Sequence, residues 1–381
     1  MEKFWNNAKF IKTDYAAYFN SSTTPWGIER PRLYQHSDLP DGKGLPMLAT
    51  DFNIEKKGEV KIYFSSLGCN DIYINGKRVG KDEMKPGWTN YWIRTSYFEY
   101  DITDYVTEGK NRILAVLSSG WYSGRIVGDY YGDNPPAFIA SITNDGEKVA
   151  VTDENWKGFL GGQIRIADIW DGEIRDNTFD SYEKMSEVGF DLSEWKNAEL
   201  ADYAKCEVSE FIGPKIQVRD NLSLKSAKAV IYDGIKYNGT NYGEINVYND
   251  NAEFPLMLKK GQTLVIDLAQ EIVGWGNFKF KGSKGNRIKM RYAEFLNDSG
   301  DISRGNDGPK GSVYTINLRS ALGKAYCVLN GDAEETYRPT FTFFGFRYIE
   351  ITADDDVEIL DFTGEVVGNA IEEIGKLETS D

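Results

Sequence analysis

TFTFFGFRYIEI, residues 340–351, is the stretch on which the fold turns. A half-buried strand alternates apolar and polar side chains. This one begins so, with Thr340 out, Phe341 in, Thr342 out and Phe343 in. Around Gly345 the phase reverses, and Phe344, Phe346 and Tyr348 take the opposite side. Aromatic side chains therefore point to both faces, and the second face needs something to pack against.

The surrounding sequence has the same texture. "EVKIYFSSLG" alternates, and "NDIYINGKRVG" is a hairpin with Ile72 and Ile74 leading into Asn75-Gly76, a strong turn dipeptide. "TSYFEYDITDYV" alternates, "EGKNRILAVLSSGW" is a turn and an apolar strand, and "TNDGEK" turns at Asp145-Gly146. The chain from 213 on repeats the pattern through "GQTLVIDLA", "GNFKFKG", "NRIKMRYAEFL" and "EILDFTGEVV". Short strands separated by turn signals predict sandwiches or jelly rolls. Residues 181–200 hold the one short helix-like pattern, and the polar stretch 297–312 is expected to be a mobile or functional loop. The 381 residues suit two domains, and 52 aromatics with 38 glycines agree with β structure. The expected fold is all-β, with two jelly-roll-like β-sandwich domains at 1–208 and 209–352, then a last strand and linker at 353–381.

The charge balance, 44 − 59 = −15, argues against nucleic acid and anionic membranes and leaves neutral ligands such as sugars open. Cys69, Cys206 and Cys327 are far apart and form no disulfide or zinc framework. With no apolar leader run in "MEKFWNNAKFIKTDY", the chain reads as soluble and cytoplasmic.

His36 is the single histidine, which removes His-based triads and metal sites, and no nucleotide-binding glycine motif occurs. Among 59 acidic residues no catalytic pair stands out. Glu294 in "RYAEFL" and Asp168, Asp171 and Glu173 in "ADIWDGE" are read as structural. Sugar binding is the chemistry that the loops offer, since an exposed aromatic covers a pyranose face and short polar groups take its hydroxyls. "PGWTNYW" (86–92) and "SSGWYSGRIVGDYYGDNPP" (118–136) supply these types. The competing reading makes the aromatics core plugs, Trp121 first among them. Asp129, Asp133 and Asn134 offer oxygen ligands for calcium.

At these residues the sequence resembles a known family. The ordered series "INGKRVG", "PGWTNY", "YFEYDIT", "GKN", "GWYSG" and "YGDNPPA", continued by "ADIWDGEIRD", resembles the N-terminal domain of bacterial α-L-rhamnosidases, glycoside hydrolase family 78. "DLAQEIVGWGNFKFKG", "YAEFLNDSGDI" and "ETYRPTFTFFGFRYIEI" resemble the next sandwich of that family. The resemblance implies a galactose-binding-like first domain and a concanavalin-like second one. It implies a multidomain enzyme that removes terminal α-L-rhamnosyl groups with inversion. The acid and base of that family lie in an (α/α)6 barrel, and its entry motif, of the type PTDCPQRDERxGWTGD, is absent here. The chain is therefore expected to be non-catalytic, with a C-terminal catalytic barrel and terminal α-L-rhamnose of plant glycosides or polysaccharides as partners. Some relatives bind L-rhamnose with calcium on such a sandwich, which points to Asp82, Trp88, Asn90, Trp121, Asp129, Tyr131 and Asp133 for sugar. Phe341 and Phe343 should then fill the second core. Gly345 should allow a bulge, and Phe344, Phe346 and Tyr348 should be covered by the first sandwich or the barrel.

Overall fold

The computed structural model describes residues 3–5, 7–16, 41–127, 130–372 and 374–379. His36 and Asp129 lie outside them. The first sandwich pairs a seven-stranded with a six-stranded sheet. Ala137–Asn144, Val60–Leu67 and Arg94–Asp101 lie side by side in the first sheet, all antiparallel. Lys157–Gly161, Leu45–Ile54, Gly109–Ser118 and Cys69–Ile74 follow one another in the second. The hairpins fall where the turn dipeptides predict. Asn75 and Gly76 both have positive φ (48° and 83°), as do Asp145 and Gly146 (49° and 80°), and Ile74 pairs with Lys77.

The core between these sheets contains Phe64, Phe98, Phe138 and Ile142 against Leu48, Phe52, Ile113 and Leu117. Each such side chain contributes about 1.5–3 kcal/mol on burial. The intervening residues Met47, Leu114 and Val116 point to the outer face of the six-stranded sheet, which is also covered. This is why "RILAVLS" runs apolar without alternation. The cover comes from Ile164, Ile169, Tyr182, Trp195 and, across the domain seam, Phe341. The expected helix is a single turn, Tyr182–Met185, capped by Ser181.

The second domain contributes ten strands to one curled twelve-stranded sheet. Its long strand Thr263–Gly282 serves both halves: its first part pairs with Lys228–Lys236 and Phe344–Ala353, its second with Val357–Asn369 and Glu335–Tyr337. The enclosed core includes Trp275, Phe278, Phe280, Tyr292, Tyr337 and Phe362. The hairpin Ile164–Asp168 and Gly172–Asp176 extends this same sheet, because Gly172–Asp176 runs parallel to Lys324–Val328. Gly172 has φ 105°, and a Cβ there would lie 1.6 Å from the carbonyl oxygen of Lys324, so only glycine allows the pairing.

The opening stretch adopts the opposite arrangement to that expected. Phe341 is 2% exposed and belongs to the cluster on the first sandwich, and Phe343 packs against both cores. Phe344 and Phe346 fill the second domain's own core, with Phe344 stacked 3.9 Å from Tyr292. The threonines also turn into the seam. Thr342 Oγ1 donates to the Ile169 carbonyl (3.1 Å), and Thr340 Oγ1 accepts from Arg175 (2.6 Å). The irregularity is not at Gly345, which pairs with Val273. It lies where Asp267–Ile272 bulges opposite Phe346–Tyr348. Tyr348 then packs on neighbouring strands of its own sheet, beside Tyr232, Ile245 and Val265. The phase reverses because the chain crosses from one core to the other at this point.

The 297–312 stretch is ordered by its own polar groups. The Asn297 amide donates to the Ser312 hydroxyl and the Val313 carbonyl, and the Asn306 amide to Asp298 and the Asp301 carbonyl.

A candidate carbohydrate-binding cleft

Two loops of the first sandwich meet at Tyr131. The loop before Arg94–Asp101 turns at Asn90, whose carbonyl accepts from Ile93 and Arg94 N–H and whose side-chain oxygen accepts from Trp92 N–H (3.1 Å). Such an Asx turn fixes which side chains face out. Trp88 and Trp92 are 55% and 63% exposed, while Tyr91 between them is buried. The second loop follows the short helix Gly120–Ser123. Tyr122 points inward, Tyr130 is 62% exposed and Tyr131 only 5%.

Tyr131 locks the two loops together. Its ring lies 5.1 Å edge-on to Tyr91, 5.9 Å stacked on Tyr122 and 4.8 Å edge-on to Tyr130. Its hydroxyl donates to the Thr89 carbonyl (3.3 Å) and accepts from Trp88 Nε1 (3.4 Å). Burial pushes the Tyr122 hydroxyl up to about 12 and raises Tyr91 well above its ordinary value. Between the loops lies a cavity of about 480 Å³ lined by Trp88, Thr89, Asn90, Val127, Tyr130 and Tyr131. The Asn90 side-chain NH2 makes no hydrogen bond to the described residues. The arrangement offers apolar ring faces beside a free amide donor, which suits a small hydroxylated ring.

The other expected residues lie elsewhere. Trp121 is turned inward, 6.4 Å from Phe343 at the seam. Asp82 is buried, and its carboxylate accepts from Tyr100 and Gln217. Burial opposes that charge, but these bonds and Lys215 hold the carboxyl below its usual range. Asp133 is exposed, and the Asn134 amide donates to the Tyr131 carbonyl (3.4 Å). Among the described residues no three His, Cys, Asp or Glu side chains come together as a metal site. Thr89 and Val127 were missed, although they flank residues that the motifs single out.

"ADIWDGE" builds the seam. Arg125 Nε meets both Asp171 oxygens at 2.9 Å, and its guanidinium also donates to the Ser320 carbonyl. Asp168 accepts from the backbone N–H of Arg125, Trp170 and Asp171. Burial, aided by the Asp171 charge, pushes its carboxyl up to about 6. Glu173 is fully buried, and burial raises its carboxyl too.

Comparison with known proteins identifies both domains. The α-L-rhamnosidase N-terminal domain model matches residues 55–220, and the bacterial α-L-rhamnosidase concanavalin-like domain model matches 257–368. This chain belongs to the bacterial α-L-rhamnosidase family. It is 30% identical to an α-L-rhamnosidase of Streptomyces avermitilis over 86% of its own length and 28% of that protein's. It is 30% identical to one of Alteromonas sp. (strain LOR) over 82% of its length and 30% of that protein's. The chain thus spans under a third of these curated relatives. Among solved structures, the Streptomyces avermitilis enzyme complexed with L-rhamnose superposes with TM-score 0.67 at 28% identity, covering 87% of this chain and 29% of that one. The α-L-rhamnosidase from Dictyoglumus thermophilum superposes with TM-score 0.74 at 27% identity, covering 100% and 38%. The rhamnosidase-family chain is accordingly all-β, a β-sandwich followed by a concanavalin-like domain.

Proposed function

We propose that this chain is a non-catalytic, saccharide-recognising part of an α-L-rhamnosidase, taking a terminal L-rhamnose in the Trp88–Tyr130 cleft. The observation that carries the reading is the pair of exposed rings over a floor locked by Tyr131. The rings would cover the apolar face of the sugar, and the Asn90 amide would donate to a hydroxyl. Isothermal titration with L-rhamnose, with and without calcium, tests this. Saturable heat in wild type that Trp88→Ala abolishes supports it, and no heat at millimolar sugar overturns it. A calcium requirement would bring in Asp133 and Asn134 beside the cleft.

A second reading makes the two domains a rigid base for a catalytic barrel. It is favoured by the seam itself, where a parallel strand pair and buried ion pairs leave the sandwiches no hinge. On either reading the chain alone does not hydrolyse rhamnosides. Inversion needs an acid and a base about 6.5–9.5 Å apart around a water, and Asp168, Asp171 and Glu173 are buried and engaged.

A further inference from the structure

A second cleft, of about 520 Å³, opens at the seam where residues 177–184 face the turn 330–336. Its size falls within the range of about 300–1,000 Å³ common to small-ligand sites. It shares no lining residue with the Trp88 cleft. The wall is rigid. Asn177 N–H donates to the Val328 carbonyl (2.9 Å) and its amide to Glu335 (2.9 Å).

The lining is rich in carboxylates, yet each already has a partner. Asp180 pairs with Lys184 (2.6 Å) and Glu334 with Lys279 (2.9 Å). Asp332 accepts from the Asn330 amide (2.9 Å), and Glu335 accepts from Asn330 and Gly331 N–H (both 2.8 Å). Among the described residues no group of His, Cys, Asp and Glu here could hold a metal. The lining side chain that has no partner among the described residues is neutral. Gln163 is 8% exposed and lines the cleft, and its side-chain amide makes no hydrogen bond to any described residue. Its backbone is fixed, because its carbonyl accepts from Asp176 N–H (2.8 Å). Its amide atoms open into the cleft, where water or a ligand hydroxyl can pair with them.

We propose that this cleft is a second binding site, for a neutral saccharide, with the Gln163 amide donating to one ring hydroxyl and accepting from its neighbour. An amide carries both functions side by side, which matches a vicinal diol. Phe179 supplies the apolar contact at the rim. It is half exposed, with the Arg165 guanidinium 4.1 Å over its ring. Lysines balance Asp180 and Glu334 only, so the charges of Asp332 and Glu335 remain, engaged by neutral N–H donors, and the test therefore carries a cation probe.

The test uses the full chain with Trp88→Ala, which disables the first cleft, labelled with 15N and titrated with L-rhamnose. The Gln163 side-chain NH2 signals are assigned by their loss in Gln163→Ala. They should shift saturably with Kd of about 1–10 mM. Adding Gln163→Ala should weaken binding, read at the Asn177 and Thr178 amides, by about tenfold. That variant removes no internal hydrogen bond but trims a buried side chain, so its melting temperature is measured too, and binding is compared well below it. Phe179→Ala gives an independent weakening. Absent or non-saturating shifts at about 100 mM sugar, or equal affinity in Gln163→Ala, overturn the proposal. So does a saturable shift with lysine methyl ester but not with L-rhamnose, which would make the cleft a cation site. Failure of the Trp88 cleft in wild type leaves this result unaffected.

Discussion

The Glu173 carboxylate, on the seam strand Gly172–Asp176, accepts the backbone N–H of both Thr340 (2.9 Å) and Phe341 (3.1 Å) of the second domain. One buried oxygen thereby turns the TFTFF segment onto the first domain, and Phe341 joins the cluster there that also holds Tyr182 and Trp195. Glu173 thus joins the two cores.

Glu173→Ala should destabilise the chain by about 3 kcal/mol, since two buried N–H groups lose their acceptor. Glu173→Gln keeps one carbonyl oxygen for them and should cost under about 1.5 kcal/mol. Urea denaturation of both variants reads the difference, and equal losses would remove Glu173 from the seam's energetics.

Gly172→Ala should cost about 3 kcal/mol or more, because the new methyl meets the Lys324 carbonyl and the backbone keeps its left-handed φ. Calorimetry should show either a lower melting temperature or a split transition in which the domains melt separately. A wild-type melting curve would mean that the strand pair is dispensable.

The two tryptophans of the motif region should behave oppositely. Trp88→Ala should leave the melting temperature unchanged and weaken L-rhamnose binding at least about tenfold. Trp121→Ala should leave a cavity at the seam and cost about 3 kcal/mol. Thermal melts and sugar titration on the same two variants separate the roles.

Asp168 makes stability fall as pH rises. The unfolded chain releases this proton near 3.8 and the folded chain near 6, so between those values the folded state holds more protons. The resulting penalty is absent below about 4 and complete above about 6, and is worth up to about 3 kcal/mol. Wild type should therefore gain on Asp168→Asn between pH 7 and pH 5 in denaturation midpoints. A constant difference would place the carboxyl at its ordinary value.

p-Nitrophenyl α-L-rhamnoside should give no turnover with this chain. Turnover abolished by changing one Asp or Glu would show an active site within these residues.

The amino-acid sequence by itself determined the local facts. Asn75-Gly76 and Asp145-Gly146 specify their hairpins because left-handed turn positions select Asn, Asp and Gly. Alternation and aromatic content specify an all-β chain, and the ordered motifs specify the family. The exposed rings of the first cleft were legible too, since loop aromatics beside Gly and Asn carry a recognisable texture. The tertiary structure decided which core each aromatic of TFTFFGFRYIEI enters. Period-two alternation says that two faces exist and is silent on what covers them. That choice depends on Glu173 and Gly172, far away in the chain, and on a bulge carried by the partner strand. The same holds for Trp121, Asp82 and Gln163. Whether a side chain is a plug, an anchor or an amide open to a cleft depends on partners that only folding brings within reach.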